Sequence, residues 1–147
     1  MKYVVFLDID GVLADNTHRL NYMFDKDYDK FYSYNEVVKD GIIARGRFLA
    51  VMYAYCDDFD IVLVTGRNES CKQATVDWLR MAAMPYDRIL MRGHDDHREA
   101  SELKPELIRD YISEHPECTP IMFIDDEELT VEAVAQAFPQ MACMQFK

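Results

Sequence analysis

Four short runs rich in β-branched and other apolar residues recur along the chain, at Tyr3–Leu7, Ile61–Val64, Ile89–Met91 and Ile121–Ile124. Each ends in polar or glycine-containing sequence, and runs of this length and boundary predict strands buried on both faces, as in a parallel sheet. Between them, apolar positions recur at helical spacing over Ile42–Tyr55, Ser70–Met84, Pro105–Ser113 and Glu127–Phe138. Pro105 suits a first helical turn, where a missing N–H is no loss, and Leu107, Ile108, Tyr111 and Ile112 give that helix one buried face. A last run, Ala142–Gln145, predicts an edge strand. Strands alternating with helices of this length imply βαβ units, hence an α/β fold: a three-layer, Rossmann-like sandwich with a central parallel sheet. In open sheets of this kind ligands bind beyond the carboxyl ends of the strands, so the polar residues just after each run are the candidate site.

Composition narrows this picture. The 147 residues fit one domain, with no linker, repeat or low-complexity tract, and 50% hydrophobic residues suffice for a packed core. A formal net charge of −11 argues against an extended nucleic-acid surface and against anionic membranes, so any phosphate must be gripped locally. Cys56, Cys71, Cys118 and Cys143 are scattered, with no C-x-x-C pair, which fits a reducing, cytoplasmic setting. The chain opens directly into an apolar strand, which predicts no targeting leader, and no segment is long enough to span a bilayer.

The candidate chemistry lies where the sheet rule places it. Asp8-Ile9-Asp10-Gly11 follows the first run, with two carboxylates and a glycine that permits close backbone approach. Thr65-Gly66-Arg67 follows the second, a hydroxyl and a cation in an expected turn before a helix. Lys104 is expected just before the helix led by Pro105, and Asp125-Asp126 follows the fourth run. Converging carboxylates repel one another unless a cation neutralises them, and hard oxygen ligands suit Mg²⁺. Metal-assisted phosphoryl transfer satisfies every one of these groups.

These residues resemble the haloacid dehalogenase superfamily, whose four motifs run D-x-D, Thr or Ser, Lys and a late acidic pair, in this order. The resemblance implies that Asp8 is a nucleophile forming an aspartyl-phosphate and that Asp10 is the general acid and base. It implies that Thr65 and Lys104 hold the phosphate. A metal would be held by Asp8, the main chain at Asp10, and the Asp125-Asp126 pair. Over nearly the whole chain the sequence is most similar to the 3′-phosphatase domain of phage-type polynucleotide kinases, through Arg19, Thr65-Gly66-Arg67, the stretch Met91-Arg92, Asp96, Arg98 and Lys104, and Ile124-Asp125-Asp126. That likeness implies substrate contacts from Gly11, Arg19, Gly66, Arg67 and Arg98, and a phosphorylated nucleotide or nucleic-acid terminus as the partner. Two departures stand out. Ala100 replaces an acidic residue four positions before the lysine, so that role is either missing or moved to Glu99 or Glu102, and residues 21–40 form an enlarged segment where the superfamily carries small cap insertions. With no G-x-x-x-x-G-K-[ST] loop in the chain, kinase or ligase chemistry would come from a separate partner.

Plainer readings accompany several of these residues. Arg19 also reads as a surface loop residue, and Arg67 as one half of a structural salt bridge. His94-Asp95-Asp96-His97 matches no metal-ligand spacing and reads as a solvated loop, and His18 and His115 carry still less. The rings of Tyr22, Phe24, Tyr28, Phe31, Tyr32 and Tyr34 read either as a cover packed on the domain or as stacking surfaces for a nucleobase. Besides a 3′-phosphatase acting on strand ends, a mononucleotide phosphatase such as a 5′(3′)-deoxyribonucleotidase shares all the chemistry. A receiver-like aspartyl-phosphate switch uses similar groups, but its acceptor follows a later strand and needs no second aspartate. A non-catalytic binding module predicts decay of the motif set.

Overall fold

The computed structural model describes residues 2–147. Five strands form one parallel sheet: β1 (Lys2–Leu7), β4 (Phe59–Asn68), β5 (Arg88–Arg92), β6 (Cys118–Asp125) and β7 (Ala142–Gln145), in the order β5-β4-β1-β6-β7. The first strand is therefore the central one, with β4 beside it on one side and β6 on the other. Successive connections leave β1 in one direction and return on the other side. Its carboxyl end is thus a topological switch point, where open α/β sheets bind ligands.

The two faces of the sheet follow residue parity. Val5, Leu7, Ile61 and Leu63 pack with Ala50 of α4 (Ala44–Ala54) and with Trp78 and Leu79 of α5 (Lys72–Met81). Val4, Phe6, Val62 and Val64 pack with Ile108 and Tyr111 of α6 (Ala100–Glu114) and Val134 of α7 (Glu128–Ala137). This alternation is what a strand buried on both faces requires, and it makes the three layers.

Between β1 and α4 the chain leaves the sheet. The two-residue strands β2 (Ala14–Asp15) and β3 (Gly41–Ile42) pair antiparallel as a neck. Above it sit a 3₁₀ turn (Thr17–Arg19) and three short helices, α1 (Leu20–Phe24), α2 (Tyr28–Phe31) and α3 (Tyr34–Val37). Helix α4 lies directly on the turn after β1, because a side chain at Gly46 would meet the Val12 carbonyl oxygen at 1.7 Å.

Three of the differences from the sequence reading bear on the site. Helix α6 starts at Ala100 and not at Pro105, so Lys104 lies inside it; the proline removes only one intrahelical donor. The expected turn at Thr65–Arg67 is instead the end of β4, whose pairing with β5 slips between Val64 and Asn68 and resumes at Asn68–Arg92. Helix α4 starts at Ala44, because Gly41–Ile42 is used in the neck. All four cysteines are free, and among the described residues no helix is long and apolar enough to cross a membrane.

Candidate active site

The carboxyl end of β1 opens into a cavity of about 1310 Å³ lined by Asp8, Asp10, Gly11, Gly66, Arg67, Arg98, Lys104 and Asp126, among others. Asp8 is placed by the sheet itself: its N–H donates to the Ile124 carbonyl at 2.9 Å, which sets it beside Asp125 at the end of β6. Lys104 reaches in from α6 and donates to Asp8 Oδ1 at 2.8 Å and to Asp125 Oδ2 at 2.6 Å. All three side chains are buried, so one ammonium serves two carboxylates out of water. Both carboxylates hold the lysine well above its ordinary pKa against the opposing effect of burial.

Asp8, Asp125 and Asp126 each offer a carboxylate oxygen within 4.8 Å of the others. Burial pushes Asp8 well above the usual carboxylate range; Lys104 opposes this, and the neighbouring charges of Asp125 and Asp10 reinforce it. Asp126 is also raised, by desolvation and then by Asp125. Each Asp125 oxygen already accepts one hydrogen bond, the second from the Glu127 N–H at 2.9 Å, whereas the Asp126 carboxyl is exposed to the cavity. Gly11 makes room for it. Its φ is +83°, and a Cβ there would fall 1.9 Å from Asp126 Oδ2. Three clustered oxygens, two of them on carboxyls disfavoured as free anions, fit a hard divalent cation.

A second network lies beside the first. Arg67 grips Asp10 with both arms of its fork, Nε to Oδ2 at 3.0 Å and Nη2 to Oδ1 at 2.7 Å. It also donates to Asp40 Oδ2 at 2.6 Å and to the Thr75 hydroxyl at 3.0 Å. Burial raises the Asp10 pKa, but the charge and hydrogen bonds of Arg67, helped by Arg19 and Lys104, outweigh it and hold the carboxyl below its ordinary value. Arg19 is fully buried and does not line the cavity. It donates to both oxygens of Asp40, at 2.8 and 2.9 Å, and to the Phe31 carbonyl at 2.8 Å, and its guanidinium lies 4.5 Å from the centre of the Phe31 ring.

Asp40 is the residue that sequence reasoning missed. It closes the insert, accepts from both arginines and from His18 at 2.9 Å, and its carbonyl accepts the Trp78 indole N–H at 2.8 Å. A charge count held the signal: two arginines near one aspartate require a further carboxylate if both are buried.

The remaining candidates are buried beneath the cavity or lie along its wall. The Thr65 side chain is fully buried, with its Oγ1 accepting the Arg67 N–H at 3.1 Å. Arg98 is held at the cavity rim by Asp96, at 2.6 Å, and by Glu106. Arg92 ties the end of β4 to the following loop, donating to the carbonyls of Gly66, Asp96 and Arg98. Glu99 lines the cavity beside Ala100, whereas Glu102 does not. His94 and His97 also line it, but among the described residues the clustered metal-binding donors are Asp8, Asp125 and Asp126 alone.

Comparison with known proteins agrees with this geometry. Residues 2–147 match the family model described as the polynucleotide kinase PNKP phosphatase domain. The chain is 31% identical over 109 residues to a protein of Autographa californica nuclear polyhedrosis virus described as a bifunctional polynucleotide kinase/RNA ligase, covering 74% of this chain and 14% of the relative. Its fold is similar to a chain of the Pnkp1/Rnl/Hen1 complex, with TM-score 0.79 and 21% identity, covering 99% of this chain and 45% of that one. It is also similar to the HAD domain of effector protein Lem4 from Legionella pneumophila, with TM-score 0.60 and 17% identity, covering 100% and 86%. This chain spans less than half the length of the first of these structures and a small part of the viral relative. The chain belongs to the phosphatase-domain family of polynucleotide kinases, within the haloacid dehalogenase superfamily, and is a hydrolase of the phosphatase class.

Proposed function

We propose that this domain removes the terminal phosphate from 3′ ends of nucleic acid, with Mg²⁺ as cofactor and Asp8 as nucleophile. The observation that supports this most is the buried Lys104 ammonium shared by Asp8 and Asp125 at the end of the central strand, two residues before Asp10. Asp8 attacks phosphorus, the bond from phosphorus to the 3′ oxygen breaks, and Asp10 supplies the proton that oxygen needs. Water then attacks the aspartyl-phosphate, gives its proton to Asp10, and releases inorganic phosphate and free Asp8. Lys104 and Thr65 hold the non-bridging oxygens, and Gly11 and Gly66 let main chain approach them. By lowering its pKa, Arg67 makes Asp10 a stronger proton donor to the leaving oxygen and leaves it as the carboxylate once that proton has gone. Arg19 acts through Asp40 and Asp10, and Arg98 meets the substrate at the rim. A divalent cation would be held by Asp8, Asp125 and Asp126, with the Asp10 carbonyl added by family resemblance, and would supply charge neutralisation between the carboxylates and the phosphate.

Membership of a family named for polynucleotide kinases favours strand ends over mononucleotides, and the cavity has room for more than phosphate alone. Kinase and ligase activities, named in the viral relative, would be supplied by other domains or partners. The test is phosphate release, with and without Mg²⁺, from oligonucleotides carrying a 3′- or a 5′-phosphate and from mononucleotides. The 3′-phosphorylated oligonucleotide is expected to turn over fastest. Asp8→Asn should lower the rate by about 10³-fold or more, and Asp10→Asn by about 10²- to 10⁴-fold. Full activity in Asp8→Asn overturns the covalent route, and equal or faster turnover of mononucleotides makes the domain a nucleotidase.

A further inference from the structure

The insert is fastened at one end and open at the other. Phe31 and Val37 are buried, Arg19 stacks on Phe31, and the Tyr34 hydroxyl donates to Asp77 at 2.8 Å. Tyr28 stands apart from this packing. It is 52% exposed, its hydroxyl has no hydrogen bond among the described residues, and it lines the cavity that contains Asp8, Asp10 and Lys104. Leu20 and Met23 of α1 line the same cavity. Phe24 is more exposed, at 73%, but does not line it. The insert therefore turns three aromatic rings, Tyr28, Phe31 and Tyr32, and two apolar side chains toward the phosphate-handling residues; Phe31 is buried and Tyr32 half-buried, which leaves Tyr28 as the exposed ring.

Phosphate chemistry uses only the polar part of this cavity. The aromatic part suits a flat, apolar group joined to the phosphate, and Asp29 beside Tyr28 repels a second phosphate there. A nucleobase meets both conditions, because every base presents a face to an aromatic ring and carries no charge. We propose that Tyr28, backed by Leu20 and Met23, is a stacking platform for the terminal base of the substrate, which makes the insert the specificity-determining element of the site. This rests on the strand-end phosphatase reading above.

Two oligonucleotide 3′-phosphates that differ only in whether the last sugar carries a base test it. Wild-type protein should show a KM about 10-fold lower for the base-bearing end. Tyr28→Ala should raise that KM about 10-fold at similar kcat and so remove the advantage over the abasic end, whereas Tyr28→Phe should keep it. Phe24→Ala, in the same insert but off the cavity, should behave as wild type. A readout independent of turnover is fluorescence quenching of a 3′-terminal 2-aminopurine on binding to Asp8→Asn protein, which should be lost when Tyr28→Ala is added. Equal KM values for both ends in wild type, or an equal rise for both in Tyr28→Ala, overturns the platform and leaves the phosphatase reading standing. No phosphate release from either end overturns that reading, and the platform with it.

Discussion

Asp40 carries two guanidinium groups that are otherwise shut inside the protein. Arg19 and Arg67 are each at most 2% exposed, and Asp40 Oδ2 accepts from both. Asp40→Ala leaves two buried cations sharing what remains of Asp10 and Thr75, and breaking a buried pair this way costs about 3–5 kcal/mol. Urea denaturation should register that loss; a change under about 1 kcal/mol would mean that water reaches the arginines freely. Gly11 is the other residue with no substitute. Gly11→Ala combines a positive φ with a Cβ on top of the Asp126 carboxylate, and is expected to cost about 1–3 kcal/mol. A melting temperature within about one degree of wild type would contradict that strain. The contrast with the motif residues is instructive. Asp8, Asp10, Thr65, Lys104, Asp125 and Asp126 could be picked out from sequence because each follows an apolar run or, for Lys104, precedes the periodic part of α6. Asp40 has no such marker, since it ends an insert of short helices and its partners are distant in sequence.

At the scale of elements, legibility followed length and contrast. The five strands of the parallel sheet and α7 were visible because their apolar runs are unbroken or cleanly periodic, whereas the two-residue strands β2 and β3 were not. The first turn of α6 was not, because its inward positions include Lys104, a buried charge that a hydrophobic pattern counts as surface. Helices α2 and α3, four residues each, are shorter than any periodic signal. The end of α5 shows a feature that sequence did not reveal. The Met84 N–H donates to the Leu79 carbonyl and the Ala83 N–H to the Arg80 carbonyl, at 2.9 and 3.0 Å, the paired bonds of a Schellman cap. The left-handed position of that cap is held by Ala83, at φ 49°. Glycine adopts this conformation without the Cβ penalty, so Ala83→Gly should stabilise the protein by about 1 kcal/mol. Calorimetry should then show the melting temperature rising by about 2–4 °C, and a fall would mean that unfolded-state entropy outweighs the relief.

Across the whole molecule the charge balance makes a cation necessary for the proposed chemistry. The chain carries −11 formally, and the cations nearest the site are already paired: Lys104 with Asp8 and Asp125, Arg67 with Asp10 and Asp40, Arg98 with Asp96. An incoming phosphate would therefore meet the Asp8, Asp125 and Asp126 carboxyls with a single ammonium among them. A divalent cation bound there stabilises the folded form alone, by about 2.7 kcal/mol when present at 100 times its dissociation constant. Mg²⁺ should accordingly raise the melting temperature by several degrees, and a chelator should reverse the rise. Asp126→Ala separates this effect from general screening of an acidic protein. It removes one of the three clustered oxygens, so the Mg²⁺ shift should nearly vanish, while the metal-free protein loses a repulsive neighbour of Asp125 and should melt no lower than wild type. Screening acts on all 27 acidic residues and would leave the shift in Asp126→Ala almost intact. An undiminished shift would thus place the cation elsewhere and remove the charge neutralisation that the proposed reaction at Asp8 requires.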